Sequence, residues 1–161
     1  MSMLYAPWRE DYVTKKNKPA FDGCLFCSII AHDQDEEQFV VKRYAHSILM
    51  LNRFPYASGH LLVIPVAHGA QLQDFDTETL NEIMQVTKKA TDALIKIMRP
   101  NAFNIGCNLG AQAGAGIPAH LHQHIIPRWG ADIGFLELIG QTTTINIDLK
   151  NFYEQLKITI E

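Results

Sequence analysis

The chain has 161 residues, 47% of them hydrophobic and 19% charged, so it can bury a core of its own and lacks the composition of a disordered chain. Its net charge of −3 offers no broad basic face for nucleic acid. No apolar run nears the ~20 residues of a membrane span, and three cysteines do not make a disulfide framework.

The first ten residues carry no secretory apolar core, and the expectation is a soluble, cytoplasmic, single domain over 1–161. Residues 1–22 read as an irregular N-terminal arm packed by Tyr5, Trp8 and Tyr12. Cys24-Leu25-Phe26-Cys27-Ser28-Ile29-Ile30 is a turn into a short helix, followed by a polar loop at 31–37. Strands are expected at Phe39–Lys42 and Ser47–Asn52, then a turn-rich connection ending in Gly59, then an apolar strand over His60–Pro65 buried on both faces. The spacing predicts an amphipathic helix over 77–98. Its stripe is Leu80, Ile83, Met84, Thr87, Thr91, Leu94 and Met98, its cap Asp76 or Thr77, and its stop Arg99-Pro100. A strand over Phe103–Leu109 leads into a loop bearing Gly110, Gly114 and Gly116, and then a strand over His120–Ile126 closed by Pro127. The C-terminal extension, 127–161, is weakly patterned, with a helix near 148–157. No internal repeat or second domain boundary is visible.

The run His120-Leu121-His122-Gln123-His124 carries the chemistry. In a strand, alternate side chains share a face, so three imidazoles would point one way. Buried, each needs a hydrogen-bond partner, and neighbouring rings disfavour mutual protonation. A neutral imidazole whose other nitrogen is held protonated is a good nucleophile. Against phosphorus it forms a phosphoramidate, and flanking histidines can donate to the non-bridging oxygens. The central His122 is best placed to attack. The glycine-rich loop running into the strand could line an anion site with backbone N–H groups.

Together with Ile125 and Ile126, this run resembles the signature of the histidine-triad (HIT) superfamily, in which alternate positions are apolar. Asn52-Arg53-Phe54-Pro55 followed by Gly59-His60-Leu61-Leu62-Val63-Ile64-Pro65 is similar to the family's nucleotide-binding strand pair. Leu4-Tyr5-Ala6-Pro7-Trp8-Arg9 with Tyr12, and Pro127-Arg128-Trp129, resemble the bacterial branch related to diadenosine-tetraphosphate phosphorylases. The resemblance implies an α+β fold with a five-stranded antiparallel sheet, paired into a ten-stranded homodimer. It also implies nucleotidyl transfer or hydrolysis at the α-phosphate of a (di)nucleoside polyphosphate, with an adenine nucleotide as partner. His122 would be the nucleophile, and His124 and His60 would contact or order the phosphate site. Asn52 would bind ribose hydroxyls, Asn108 would help hold the phosphate end, Gly116 and Ile117 would line the substrate site, and Leu25, Phe26 and Leu51 would flank the base.

Two positions depart from the family pattern. Gln123 stands where an apolar residue is usual, and projects away from the histidine face. Ile117 stands where phosphoramidase branches carry Ser or Thr, a hydroxyl that assists an amine leaving group. Its absence favours polyphosphate substrates over phosphoramidates. A uridylyltransferase branch is disfavoured because it carries Gln in place of His124. The rivals are a purine nucleoside phosphoramidase and, in another class, a nucleotide-binding protein without turnover. Trp8-Arg9 and Arg128-Trp129 incline the resemblance towards phosphorylase over hydrolase.

Cys24-x-x-Cys27 can be a redox pair, two core thiols or half of a zinc site. The first lacks a thioredoxin-like setting. In zinc-bearing relatives the remaining ligands are a His after the Gly-His strand and the first triad His. The resemblance thus implies a structural zinc on Cys24, Cys27, His68 and His120. His32 and His46 read as solvated, Cys107 as core, Lys88-Lys89 as a solvated face, and Arg128 as either a phosphate contact or a surface ion pair.

Overall fold

The computed structural model describes residues 23–130 and 145–160. The arm at 1–22 and the segment 131–144 of the C-terminal extension lie outside the described residues. The helices are α1 (Leu25–Ala31), α2 (Asp35–Gln38), α3 (Thr77–Met98) and α4 (Leu149–Thr159). The strands are β1 (Val40–Arg43), β2 (Ser47–Leu51), β3 (Leu61–Pro65), β4 (Ala102–Cys107) and β5 (Gln123–Arg128). They form one five-stranded antiparallel sheet of order β1-β2-β3-β5-β4 among the described residues. No helix among these residues is long and apolar enough to cross a membrane.

The period-2 alternation of the central strands gives the sheet two distinct faces. Leu49, Leu51, Leu61, Val63 and Ile125 belong to the larger core beneath α3 and α4. Ile48, Met50, Leu62 and Ile64 point to the other face, where Phe26 and Ile29 of α1 cover them. Helix α3 matches its sequence expectation, with the Asp76 carboxylate accepting from the Thr79 N–H at 2.8 Å. Its buried stripe is turned slightly from the expected one. Val86, Ala90 and Ala93 are inside with Ile83, Thr87 and Leu94, whereas Met84 is exposed. The small alanines let the helix lie close to the sheet.

The last strand begins later than the histidine pattern suggested. β5 starts at Gln123, not His120, and it runs through Pro127 to Arg128. The approach to it is irregular because its backbone bonds go elsewhere: the Leu121 N–H donates to the Gly69 carbonyl at 2.7 Å. Pro127 is tolerated because the β3 ladder ends at Leu61 opposite Ile125. Gln123 projects to the α3 face, where its amide donates to the Thr87 hydroxyl.

Candidate active site and metal centre

Three segments meet on the α1 face of the sheet. The turn before β3 supplies His60, the approach to β5 supplies His120 and His122, and β5 itself supplies His124. All four histidines are buried. The His60 placement depends on Gly59, whose φ is +78° and where a Cβ would stand 2.7 Å from the Met98 sulfur and 3.1 Å from Pro127 Cγ. Only glycine suits that turn.

Hydrogen bonds assign the tautomers. A backbone N–H can only donate, so the Tyr56 N–H, 3.1 Å from His60 Nδ1, makes that nitrogen an acceptor. The Asn52 amide nitrogen faces the same atom at 3.2 Å. The proton of His60 therefore sits on Nε2 and is donated to His124 Nδ1 at 2.9 Å. That leaves the His124 proton on Nε2, a buried atom with no hydrogen-bond partner among the described residues. An orphaned donor of this kind costs stability unless a ligand oxygen meets it. His122 is fixed by its own backbone partner. Its Nδ1 lies 2.8 Å from the His120 carbonyl, which can only accept, so Nδ1 carries the proton and the lone pair is on Nε2. The His122 and His124 rings are 5.0 Å apart. A nucleophilic nitrogen and an unmet donor are therefore neighbours.

The electrostatics keep His60 and His124 neutral. Burial first, then the neighbouring His124 and His122, lowers the pKa of His60 to about 3. Burial and His122 lower that of His124 to about 4. Phe26 from α1 stands against His122 with ring centres 5.2 Å apart.

The other predicted residues divide. Ile117 packs against the smaller apolar cluster on the α1 face and brings no hydroxyl to the site. Leu25 is exposed and Asn108 half-buried, while Gly116 is exposed in its loop. Leu51 does not join the base-flanking residues, because strand alternation turns it into the core under α3, and Met50 takes the histidine face instead. Asn52 is already engaged, its side-chain oxygen accepting from the Phe54 N–H at 2.9 Å and its nitrogen facing His60. In the glycine loop the N–H groups of Ala113, Gly114 and Ala115 close turns within the loop. An anion would draw on other donors.

Tyr56 is the site residue that the sequence reading missed. Its ring stacks on His124 at 5.6 Å with an interplanar angle of 26° and lies 4.7 Å from His60. Its contribution is a backbone N–H and a ring face, and neither leaves a spacing pattern. A polar residue four positions before a buried histidine in a turn is the only signal available. His46, expected to be solvated, lies 3.4 Å from the Glu78 carboxylate. Cys107 is half-buried on β4, not core, and Arg128 donates to Asn104 at 3.1 Å.

Beside the histidines, Cys24, Cys27, His68 and His120 bring four ligand atoms within 4.8 Å of one another. His120 Nε2 donates to the Pro65 carbonyl at 2.9 Å. This leaves its Nδ1 lone pair facing Cys24 Sγ at 3.3 Å and Cys27 Sγ at 3.5 Å. His68 Nδ1 is 3.2 Å from Cys27 Sγ. Burial, followed by the hydrogen bond and charge of Cys24, pushes the Cys27 thiol up, as expected of two sulfurs held side by side. Two thiols and two imidazoles, one of them oriented by a carbonyl behind it, fit a tetrahedral metal ion.

Known proteins share this architecture. A family model described as HIT domain matches residues 33–130, and the chain belongs to that family. It is 35% identical over 151 residues to the AP-4-A phosphorylase of Mycobacterium tuberculosis, a match covering 90% of this chain and 77% of the relative. It is 33% identical over 117 residues to an adenosine 5'-monophosphoramidase of Saccharomyces cerevisiae, covering 71% and 70%. A zinc-bound histidine triad family protein from Mycobacterium smegmatis has the same fold, with a TM-score of 0.70, 24% identity and coverage of 86% of this chain and 93% of the other.

Proposed function

We propose that the protein is a nucleotidyl hydrolase or transferase acting on the α-phosphate of (di)nucleoside polyphosphates through a nucleotidyl-His122 intermediate. One observation carries the reading: the His120 carbonyl holds the proton on His122 Nδ1, so the Nε2 lone pair is presented beside the unmet Nε2–H of His124. The α-phosphorus of a bound polyphosphate is attacked by Nε2. A P–N bond forms while the P–O bond to the leaving polyphosphate breaks, its electron pair leaving on oxygen. His124 Nε2–H donates to a non-bridging oxygen as charge builds there, and His60 keeps it in the donor tautomer. Water or inorganic phosphate then attacks the same phosphorus and releases its proton to solvent, and the P–N electron pair returns to His122 Nε2.

Ile117 supports polyphosphate over phosphoramidate, since no hydroxyl is available to protonate an amine at that position. Phe26 and Leu25 would flank the base, and Asn108 and Gly116 the phosphates. Asn52 is better read as a support for His60 than as a direct ribose ligand, given its present bonds. Cys24, Cys27, His68 and His120 would hold a zinc ion that ties α1 to the approach of β5. With four protein ligands such a site is closed, so the zinc supplies fold stability and no open coordination position. A homodimer with a ten-stranded sheet completes the reading.

The test is incubation with diadenosine tetraphosphate with and without phosphate. ADP plus ATP only with phosphate identifies a phosphorylase, and AMP plus ATP a hydrolase. A nucleotidyl adduct trapped in the wild type disappears in His122→Ala. Binding without turnover or adduct would leave the non-catalytic alternative, and faster turnover of an adenosine phosphoramidate would overturn the substrate class.

A further inference from the structure

Helix α1 delivers three groups to the site: Cys24 precedes it, and Phe26 and Cys27 lie in its first turn. Yet α1 has seven residues, no side-chain cap at its start and no basic residue in its last turn. A helix that short does not hold its own register, and its final carbonyls are orphaned. The missing partner comes from the edge strand. Arg43 of β1 donates to the carbonyls of Ile30 at 2.8 Å, Ile29 at 3.2 Å and His32 at 2.9 Å. The same guanidinium is gripped by Asp35, with Nε at 3.0 and 3.2 Å from the two carboxylate oxygens and Nη2 at 2.6 Å from one. It is a C-terminal cap supplied in trans along the chain, with its cation at the favourable end of the helix dipole.

We infer that Arg43 is a positioning residue for the active site, setting the register of α1 and through it both the Cys24–Cys27 ligand pair and the Phe26 wall beside His122. The inference rests on the proposed reading of the metal centre and nucleotide pocket. Neither Arg43 nor Asp35 touches a ligand atom or a site histidine in the contacts described above. Their influence runs through the helix. Lysine cannot replace the fork, because one ammonium cannot span three carbonyls and a carboxylate.

The experiment compares Arg43→Met with wild type, both purified with their metal. Zinc release to a chromogenic chelator is timed, and AMP binding is titrated calorimetrically. A group bonded directly to a metal ligand commonly contributes 10- to 100-fold in metal affinity; Arg43 acts one step further out, at the low end of that range, so zinc release roughly 10-fold faster is expected. AMP affinity should also fall by roughly 10-fold at a temperature where the apo variant is still fully folded by circular dichroism. Release and AMP binding both equal to wild type would overturn the inference. If wild type holds no stoichiometric zinc, the metal reading fails by itself, and Arg43 is judged on AMP binding alone. Should Arg43→Met not fold, Arg43→Lys carries the same two measurements with the same outcomes.

Discussion

His60 and His124 are held neutral in the fold, at about 3 and about 4, whereas an unfolded histidine titrates near ~6.5. Below that value the unfolded chain binds more protons than the native one, so stability is complete above about pH 6.5 and declines as pH falls. Each buried ring contributes a slope of about 1.4 kcal/mol per pH unit, or about 2 kcal/mol between pH 6.5 and 5. Urea unfolding at pH 7, 6 and 5 should show this steep loss in wild type and about half of it in His124→Asn. Equal slopes in the two proteins would refute the assignment. The same neutrality serves the chemistry, because the relay from the Tyr56 N–H through His60 to His124 requires each ring to keep one acceptor nitrogen. The proposed catalysis and the acid sensitivity thus have one physical origin.

Among the elements, α3 and the site were legible in the sequence to different depths. The bounds of α3 follow from a capped, 22-residue amphipathic repeat, a signal strong enough to survive any packing detail. Which of several adjacent residues centres the buried stripe depends on how closely the sheet approaches, and Ala90 and Ala93 decide that only in three dimensions. The histidine run announced the buried cluster but not its geometry, because His122 bonds the His120 carbonyl and a regular strand cannot accommodate that. Alternation could place Leu51 relative to its neighbours but not choose which face met the histidines. Tyr56 donates a backbone N–H to His60 and the Arg43 guanidinium bonds backbone carbonyls, and backbone partners have no residue-type signature. Gly59 is the opposite case, a turn residue visible in the sequence whose necessity is quantitative. A left-handed φ costs a residue with a Cβ about 1–2 kcal/mol, and the 2.7 Å approach to the Met98 sulfur forces that flexible side chain aside. Gly59→Ala should lose about 2 kcal/mol in urea unfolding. It should also weaken AMP binding, since His60 and Tyr56 flank the altered turn. An unchanged unfolding midpoint would contradict this account.

The two edges of the sheet are unequal, and the inequality bears on the proposed dimer. β1 is bulged between Val40 and Lys42, carries two cations, and is tied to α4 by the Tyr153 hydroxyl donating to the Val40 carbonyl at 3.1 Å. These are devices that blunt an edge. β4 has none of them. Its sequence, Ala102-Phe103-Asn104-Ile105-Gly106-Cys107, bears no charge, and its outer side pairs with no strand among the described residues. Ile105 is 47% exposed, and on the same side of the molecule Leu72 and Met84 are exposed beside a cavity of about 230 Å³ lined also by Cys107 and Leu121. A second copy related by a two-fold axis would add its own β4 antiparallel to this one, extending five strands to ten and covering the apolar patch. A lysine at position 105 would then be buried without a partner, a cost of about 3 kcal/mol or more, or ~100-fold in the dissociation constant. In sedimentation velocity at micromolar concentration, wild type should run at twice the chain mass and Ile105→Lys at the chain mass. Metal content should be unaffected, because the cluster lies on the opposite face. A wild type that sediments as a monomer would remove the ten-stranded sheet from the reading while leaving the chemistry of His122 untouched.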